Sequence, residues 1–334
     1  MKSLILKVTF WVVLRMLWSG MVCEASPPQG PLPVHNYHPL QGLFLHLPAE
    51  TVQGLPKGRA RVGLDFAESN TFNISSHPET FLIVDLEMAR LSLGLDYGVT
   101  EILEVGLEIP FLWRYGGFLD PFIEGVESFF GVLVAARAAR PQNEVELVIV
   151  EKDGTSLSAN EEGSGLGDIT LRGKLLLHRE NPGSPGIALR AALKLPTGDK
   201  DLVFGSGHPD FGIGTLLQKS LRAFTLYGYL DVVFPGDPFE PFGWSLRPIV
   251  SFEFASEFRK SPKLSLLAQL GFHTSPFQDT GSQALDDGNV FELAAGLSYR
   301  IRENLTWKTG AVQNLNAPDS TADFSLMSHL GFQF

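Results

Sequence analysis

The stretch ADFSLMSHLGFQF, residues 322–334, has a period of two. Large apolar side chains share one parity: Phe324, Leu326, Leu330, Phe332 and Phe334. The other parity is more polar and holds Ser325, Met327, His329, Gly331 and Gln333. A period of two indicates a β-strand with two different faces. A soluble protein would bury the apolar face in a core, whereas a membrane barrel would turn it to lipid, and the rest of the chain has to decide between them.

The first residues have the pattern of an export signal. Lys2 and Lys7 precede an apolar run over 8–14, and Cys23-Glu24-Ala25 provides small residues at a cleavage point, so we predict a signal peptide over 1–25. The alternatives are a membrane anchor, against which the interrupting Arg15 argues, and a lipoprotein with lipid on Cys23, which the preceding Gly20-Met21-Val22 fits poorly. Cys23 is the one cysteine, so a chain cut after Ala25 forms no disulfide.

Composition narrows the class of protein further. Charged residues make up 19% of the 334 residues, below the average of about 25% for globular domains. Lys and Arg total 26 against 37 Asp and Glu, and no basic stripe occurs, so we predict no nucleic-acid partner. No later stretch holds 18 consecutive apolar residues, which argues against a membrane helix.

Alternation of apolar and polar residues recurs over about twelve segments within 58–334, including 103–109, 169–178 and 244–255. Starting after the second segment, alternate connections are short: 98–101, 179–185, 220–223, 256–263 and 302–305. The connections between them are longer and acidic. Short turns at one rim and long loops at the other are typical of outer-membrane barrels. We therefore predict an all-β, transmembrane, antiparallel up-and-down barrel of about twelve strands, with both chain ends at the short-turn rim.

Two segments do not fit a simple alternation. Residues 26–57 are rich in proline, so we predict an irregular segment that folds into the barrel or against its end. In the second strand, Leu82, Val84 and Leu86 have one parity and Leu91, Leu93 and Leu95 the other, so we predict a β-bulge near 88–90.

If the apolar parity faces lipid, charged side chains line the lumen, since charge toward hydrocarbon is costly. The acids on this face are Asp65, Asp96, Glu104, Glu108, Asp231, Glu253 and Glu292. The bases are Arg61, Arg90, Arg172, Lys174, Arg190, Lys194, Arg247, Arg300 and Lys308. These groups could brace the interior as ion pairs or form a charged constriction that selects a solute. With mixed charge in a twelve-stranded barrel, we expect no wide channel.

The long insertion at 114–164 contains a predicted helix. Asp120 suits an N-cap and Pro121 the first turn, and Phe122, Val126, Phe129, Phe130 and Leu133 follow with helical spacing on one apolar face. This face could simply pack against the protein, or it could form a lid or a binding site for a small hydrophobic ligand.

An enzyme is the weaker alternative. His273 and Ser275 have the His-x-Ser spacing that resembles the catalytic pair of outer-membrane phospholipase A, but the alternation turns them toward the lumen or rim. No cofactor and no metal site are predicted, although the acidic outer loops could hold divalent cations together with lipopolysaccharide phosphates. Solvated loops are the simpler interpretation.

The C-terminal residues Leu330, Phe332 and Phe334 resemble the signal by which barrel-assembly machinery recognises outer-membrane barrels. In addition, FAESN at 66–70, residues 95–113, DPFIEGVESFFG at 120–131, GLGD at 165–168 and LPTG at 195–198 occur in an order that resembles the domain-of-unknown-function family 3187. This resemblance implies an outer-membrane barrel of Gram-negative bacteria and no particular substrate. We expect a barrel that passes or binds a small solute, a hydrophobic one among the candidates. A structural or interaction barrel with a filled lumen is the alternative.

Overall fold

The computed structural model describes residues 27–121, 123, 125, 140–286, 288–315 and 322–334. Almost all regular structure in these residues is β. The strands are β1 (Ala60–Ser76), β2 (Thr80–Gly98), β3 (Leu103–Tyr115), β4 (Glu146–Glu151), β5 (Ser156–Ser158), β6 (Gly163–Leu166), β7 (Ile169–His178), β8 (Gly186–Leu195), β9 (Asp210–Leu221), β10 (Phe224–Phe234), β11 (Ser245–Leu246), β12 (Ile249–Arg259), β13 (Leu264–His273), β14 (Phe277–Gln278), β15 (Val290–Arg302), β16 (Leu305–Asn314) and β17 (Phe324–Gln333). Short helical turns lie at Gln41–Leu43, Glu240–Phe242 and Gln283–Asp286.

Twelve of these strands close into one antiparallel barrel. The order around the wall is β2-β1-β17-β16-β15-β13-β12-β10-β9-β8-β7-β3, and β3 pairs with β2 to complete the circle. The closing pair is β1 with β17, from Arg61 opposite Gln333 to Asn70 opposite Phe324. Closure leaves no unpaired edge in the wall, as a sheet in lipid requires. The predicted twelve-stranded barrel is confirmed.

The connections alternate in length as predicted. One rim carries the short turns, such as 99–102, 222–223 and 303–304, and the other rim carries the long connections, such as 196–209, 235–248 and 274–289. The second rim is called the outer rim below. There β1 and β2 extend the wall, and β4 adds to β2 through the pairs Thr80–Glu151 to Asp85–Glu146. No helix in the described part of the chain is long and apolar enough to cross a membrane.

The outward face of the wall forms an apolar belt. Its exposed large side chains include Leu64, Phe66, Leu93, Leu95, Val105, Leu171, Leu175, Leu189, Leu193, Ile213, Leu217, Leu230, Phe252, Phe254, Leu270, Phe291, Leu326 and Leu330. Exposed apolar residues at alternate positions of neighbouring strands suit contact with hydrocarbon rather than with water. The inward face carries most of the charge.

The bulge predicted near Met88 to Arg90 is wrong. β2 pairs with β1 without a register shift from Ala60–Tyr97 to Ser76–Phe81. The inward parity of β2 instead changes its chemistry with height. Near the outer rim it carries the fully buried Leu82 and Val84, and lower down it carries Arg90 and Asp96. The barrel is therefore apolar inside at its outer end and charged below.

The single strand predicted over 244–255 is divided into two strands in the structure. Ser245–Leu246 forms β11, which pairs with β14 in the outer loops, and the barrel strand β12 begins only at Ile249. Pro248 separates the two, and proline lacks the N–H that a ladder needs.

Candidate functional site

The described part of the N-terminal segment, residues 27–57, lies inside the barrel and is called the plug. It enters at the short-turn rim, where Gln29 Nε2 donates to the Lys263 carbonyl at 3.1 Å. Further up, the backbone N–H of the fully buried Leu32 donates to Gln269 Oε1 of the wall, and Gln269 Nε2 donates back to the Leu32 carbonyl at 3.2 Å. The wall thus supplies side-chain partners to a backbone that forms no strand.

The tip of the plug reaches the outer rim and packs into an apolar cluster. Phe44 lies against Phe277 and Phe239, with ring centroids 5.9 and 6.4 Å apart. The buried members of this outer cluster are Leu40, Leu43, Phe44, Leu82, Val84, Leu86, Leu147, Ile149, Ala159, Val203, Phe239, Trp244, Phe277 and Leu285. Burial of this many apolar side chains stabilises the closed outer mouth.

His38 organises the plug tip. Its Nδ1 accepts from the backbone N–H of Leu40 at 3.2 Å and of Gln41 at 3.5 Å. These bonds hold the turn that begins at Gln41. Burial lowers the pKa of His38 to about 3, so the imidazole is neutral at neutral pH and can act as the acceptor. This histidine lies on the plug, outside the strands that form the wall.

The plug then returns to the short-turn rim along another side of the lumen. The Leu45 N–H donates to Asp210 Oδ2 at 2.6 Å, and lower down the Leu55 N–H donates to Glu104 Oε2 at 2.6 Å. The chain leaves the lumen at Gly58, which pairs with Gly98, and enters β1. The plug is therefore a folded loop with both ends at the same rim.

Arg190 on β8 is the strongest polar anchor of the plug. Its Nε and Nη2 donate to Asp231 of β10 at 2.8 and 2.7 Å, and its Nη1 and Nη2 donate to the carbonyls of Pro48 and Leu47 at 2.5 and 3.1 Å. Both charged side chains are 3% exposed. The guanidinium thus bonds a wall carboxylate on one side and the plug backbone on the other.

Three lysines make similar contacts. Lys174 Nζ lies 2.6 Å from Glu50 Oε2 of the plug and 3.1 Å from Glu104 Oε1 of the wall. Lys308 Nζ donates to the Pro31 carbonyl at 2.6 Å. Lys194 donates to the Leu43 carbonyl and lies 2.9 Å from Asp210 Oδ2 and 3.3 Å from Asp168 Oδ2. Charged wall residues therefore bind the plug at several heights.

Other charged side chains pair within the wall. Asp96 lies 3.1 Å from Arg61 and 3.0 Å from Arg172, and Asp65 lies 2.6 Å from His329. Glu108 pairs with Arg90 at 2.5 Å and with Arg172 at 3.5 Å. The opposite charges of these wall side chains neutralise one another, and the side chains themselves narrow the lumen.

The structure places fifteen of the sixteen predicted lumen residues on inward positions of the barrel strands: Arg61, Asp65, Arg90, Asp96, Glu104, Glu108, Arg172, Lys174, Arg190, Lys194, Asp231, Glu253, Glu292, Arg300 and Lys308. Arg300 lies lowest, where its Nη2 donates to the Pro27 carbonyl at 2.9 Å.

The structure corrects the predicted position of Arg247. It was predicted to line the lumen, but it lies between β11 and β12 in the outer loops, where it donates to the carbonyls of Ser275 and Asp286. The reason is the late start of β12 beyond Pro248.

The plug leaves two cavities. The larger, of about 400 Å³, opens at the short-turn rim and is lined by plug residues such as Glu50 and wall residues such as Arg61, Asp96 and Lys174. The smaller, of about 80 Å³, lies higher between the plug and the wall, beside Tyr37, Phe44 and Leu112 among others. The upper cavity has a mixed lining, which includes His35 and Glu108 as well as these apolar groups.

The His273 and Ser275 pair does not form a nucleophile and base. His273 Nδ1 bonds Ser251 Oγ at 2.9 Å, and Ser275 Oγ donates to the Leu285 carbonyl at 2.6 Å. A hydrolase needs the histidine in contact with the serine it activates. The geometry therefore does not support the hydrolase alternative.

The predicted apolar helix face lies outside the described residues. Its five members Phe122, Val126, Phe129, Phe130 and Leu133 are not among them. Among the described residues of the same segment, Ile123 donates its N–H to the Leu119 carbonyl at 2.8 Å, as in one turn of helix.

Sequence reasoning did not predict the plug side chains as site residues. His35 and His46 reach the middle of the lumen, 3.5 and 3.6 Å from Glu108 and Glu253. Their only sequence signal was a histidine-containing segment that cannot form a strand. The wall partners of these two histidines lie far along the chain, and no local sequence pattern identifies those partners.

Comparison with solved structures shows a barrel fold similar to that of an outer-membrane channel. The crystal structure of the COG4313 outer membrane channel from Pseudomonas putida F1 is similar with a TM-score of 0.56 at 15% identity, over 86% of this chain and 100% of that chain. The crystal structure of the Ralstonia pickettii toluene transporter TbuX has a TM-score of 0.40 at 11% identity, over 84% of this chain and 90% of that chain. The KdgM porin has a TM-score of 0.40 at 7% identity, over 81% of this chain and 98% of that chain.

A comparison with curated proteins gives no match. A family model described as "Protein of unknown function (DUF3187)" matches residues 5–334. Since this match spans nearly the whole chain, the protein belongs to the DUF3187 family.

Proposed function

We propose that the protein is an outer-membrane channel that passes or binds a small solute and that the plug is its gate. The observation that carries this proposal is a plug held between two cavities, of about 400 and 80 Å³, inside a closed barrel. The plug lines both cavities, so we infer that it moves when a solute passes from one to the other. The similar fold of the Pseudomonas putida channel supports the same class of function.

The lining favours a small solute with an apolar part. The upper cavity is lined by aromatic and aliphatic groups such as Tyr37, Phe44 and Leu112 and by about as many polar and charged groups, among them Arg90 and Glu108. Above it, the outer cluster packs apolar side chains between the plug tip and the outer loops, so a solute that leaves toward the outer rim would meet an apolar surface once the plug tip moves. A small solute with an apolar part is therefore the substrate class we propose.

The proposal also includes location and partners. The apolar belt supports insertion in the outer membrane after removal of the signal peptide, with outer-membrane lipid and lipopolysaccharide around the wall and the barrel-assembly machinery acting on the C-terminal strand. Cell fractionation together with a heat-modifiability gel tests this part. Recovery of the folded protein in the soluble periplasmic fraction would contradict it.

Single-channel recording tests the gate. Arg190→Met removes the guanidinium that holds the carbonyls of Leu47 and Pro48, so we expect more frequent and larger openings than in the wild type. Arg172→Met is the matched control, because Arg172 pairs with Asp96 and Glu108 of the wall. If recordings of the wild type, Arg190→Met and Arg172→Met all show no openings, and liposomes that contain the protein take up no small apolar solutes, the channel proposal is contradicted.

A structural or interaction barrel with a filled lumen is the second candidate. The observation in its favour is the number of buried charged wall residues that hold the plug, including Arg190, Lys174 and Lys194. It predicts an intact barrel that never conducts and whose outer loops crosslink to a partner in cells. The recordings above separate the two functions.

A further inference from the structure

Three side chains from separate parts of the chain meet in the middle of the lumen. They are His46 of the plug, Glu253 of β12 and His273 of β13, and their nearest nitrogen and oxygen atoms all lie within 4.8 Å of one another. His46 Nε2 is 3.6 Å from Glu253 Oε1, and the rings of His46 and His273 have centroids 5.0 Å apart. We call this group the lumen triad.

The wall positions the two strand residues by register. Glu253 is opposite Gly271, and His273 is opposite Ser251, so the carboxylate and the imidazole are diagonal neighbours on one inward face. Because Gly271 has no side chain, the space between them stays open, and a Cβ there would lie 3.4 Å from His273 Nε2. Ser251 Oγ bonds Nδ1 of His273 at 2.9 Å, which leaves Nε2 directed into that space.

Two atoms of the triad lack hydrogen-bond partners in the described part of the chain. They are His46 Nε2 and Glu253 Oε2, both buried. Glu253 as a whole is 5% exposed. Leaving a buried carboxylate oxygen and a buried imidazole nitrogen unpaired is costly, and buried charges are normally paired or coordinate a metal.

We propose that His46, Glu253 and His273 bind a divalent transition-metal ion, with Zn²⁺ as the best match. Two imidazole nitrogens and one carboxylate oxygen form a common zinc ligand set, and the fourth position stays open for water or a solute. Zinc bonds of about 2.0–2.2 Å place neighbouring tetrahedral donors about 3.3 Å apart. The 3.6 Å between His46 Nε2 and Glu253 Oε1 is close to that spacing. Ca²⁺ and Mg²⁺ prefer sites made mainly of oxygen ligands.

The ion would link the plug to the wall, since His46 belongs to the plug and the other two ligands belong to β12 and β13. Ser251 fits the role of an outer partner that fixes the orientation of His273. An ion that binds only the folded plug stabilises it in proportion to the logarithm of the metal concentration. The metal proposal does not depend on whether the barrel conducts.

Titration of the purified, tag-free, metal-stripped barrel in detergent tests the proposal. With Zn²⁺ as the probe in isothermal calorimetry, we expect one ion per chain, an ion bound tightly enough to survive dialysis in elemental analysis, and no comparable binding of Ca²⁺. With Co²⁺ as the probe, a tetrahedral site gives strong visible absorption. His46→Ala and His273→Ala should each lower the affinity by about a hundredfold or more, since even outer-sphere changes cost about 10- to 100-fold.

Two further variants make the result specific. Glu253→Gln keeps the shape of the side chain and should lower the affinity while the barrel still folds on a heat-modifiability gel. His329→Ala is the matched control, because His329 is another inward histidine and pairs with Asp65 instead. Absence of Zn²⁺ binding in the wild type, or binding of wild-type strength in folded His46→Ala and His273→Ala barrels, would overturn the proposal.

Discussion

Asp231 reaches its partner across Gly214. Asp231 and Gly214 are opposite each other in the pairing of β10 with β9, and a Cβ on Gly214 would stand 1.7 Å from Asp231 Oδ1. Arg190 lies opposite Gly214 on the other side, in β8. The missing side chain therefore creates the passage through which a carboxylate and a guanidinium pair across two strands.

The same arrangement occurs on the other side of the lumen. Gly106 of β3 lies opposite both Asp96 and Arg172, and a Cβ on it would stand 2.3 Å from Asp96 Oδ1. Asp96 and Arg172 are 3.0 Å apart across this glycine. Inward glycines thus determine which charges of the wall can meet.

The first prediction concerns this passage. Gly214→Ala should displace the Asp231 carboxylate and leave Arg190 partly unpaired in a buried position, so we expect a loss of about 3 kcal/mol in the free energy of unfolding. Urea unfolding in lipid vesicles measures it. Gly173→Ala is the matched control, since a Cβ at Gly173 meets nothing within 4 Å, and it should change stability by less than about 0.5 kcal/mol. Equal stabilities of the two variants would contradict the passage.

The second prediction concerns the position of the plug. A Cβ on Gly186 would lie 3.1 Å from Val52 Cγ1, close to the geometry of a disulfide, so Val52→Cys with Gly186→Cys should crosslink the plug to β8 on oxidation. Cys23 is the one natural cysteine and lies in the predicted signal peptide, so no competing thiol is expected. Gel mobility before and after reduction measures the crosslink. Each single variant is a control.

Under the proposed gating, the oxidised double variant should lose its openings in bilayer recordings and regain them on reduction. If the crosslink forms and the openings persist, the plug limb at Val52 is not the moving part. If no crosslink forms in a folded barrel, the position of the plug inside the lumen is wrong.

The third prediction concerns the apolar belt. Leu93 is outward-facing, 39% exposed, and paired with Leu64 and Ile109 in the middle of the wall, so Leu93→Arg should cost about 2–4 kcal/mol in a bilayer. Leu177→Arg, at the end of β7 near the short-turn rim, should cost only about 0–1 kcal/mol. Unfolding in vesicles gives both values. Costs of equal size would contradict the assigned membrane depth.

The fourth prediction concerns pH. Burial lowers the pKa of His38 to about 3 in the folded plug, against about 6.5 in an unfolded one. The unfolded form therefore binds the extra proton, and stability falls as the pH drops from 6.5 toward 3. At pH 5 the loss from this group is about 2 kcal/mol relative to neutral pH.

His38→Asn keeps an acceptor for the Leu40 N–H but does not titrate in this range, so the plug of this variant should be less sensitive to acid. Limited proteolysis of the plug between pH 7 and pH 5 measures the effect. His178→Asn, at the exposed short-turn rim, is the matched control. An unchanged pH dependence in His38→Asn would show that His38 is not responsible.

Much of the wall could be predicted from the sequence, because a strand in a barrel repeats its environment every two residues. The alternation from Leu103 to Ile109 and the alternating loop lengths were sufficient for that. The same reasoning failed at Leu82, Val84 and Leu86, where the inward face is apolar and meets the plug tip. An inward apolar residue and an outward one look the same in a single sequence.

The plug and the lumen triad could not be predicted in the same way. A proline-rich segment has no period, so its path is set by partners such as Asp210 and Arg190 far along the chain. His46 and His273 have no recognisable metal-ligand spacing in the sequence. Only the closed barrel brings them together.

The plug leads directly into β1, and β1 forms the seam with β17, where the Phe334 N–H donates to the Ala60 carbonyl. Enclosure of the plug therefore depends on a seam between β1, the strand that follows the plug, and β17, the wall strand farthest from it along the chain. Until Phe324–Gln333 pairs with β1, the wall stays open and the plug has no enclosed space to occupy. A wall that sealed before the plug had entered would leave the plug outside the barrel.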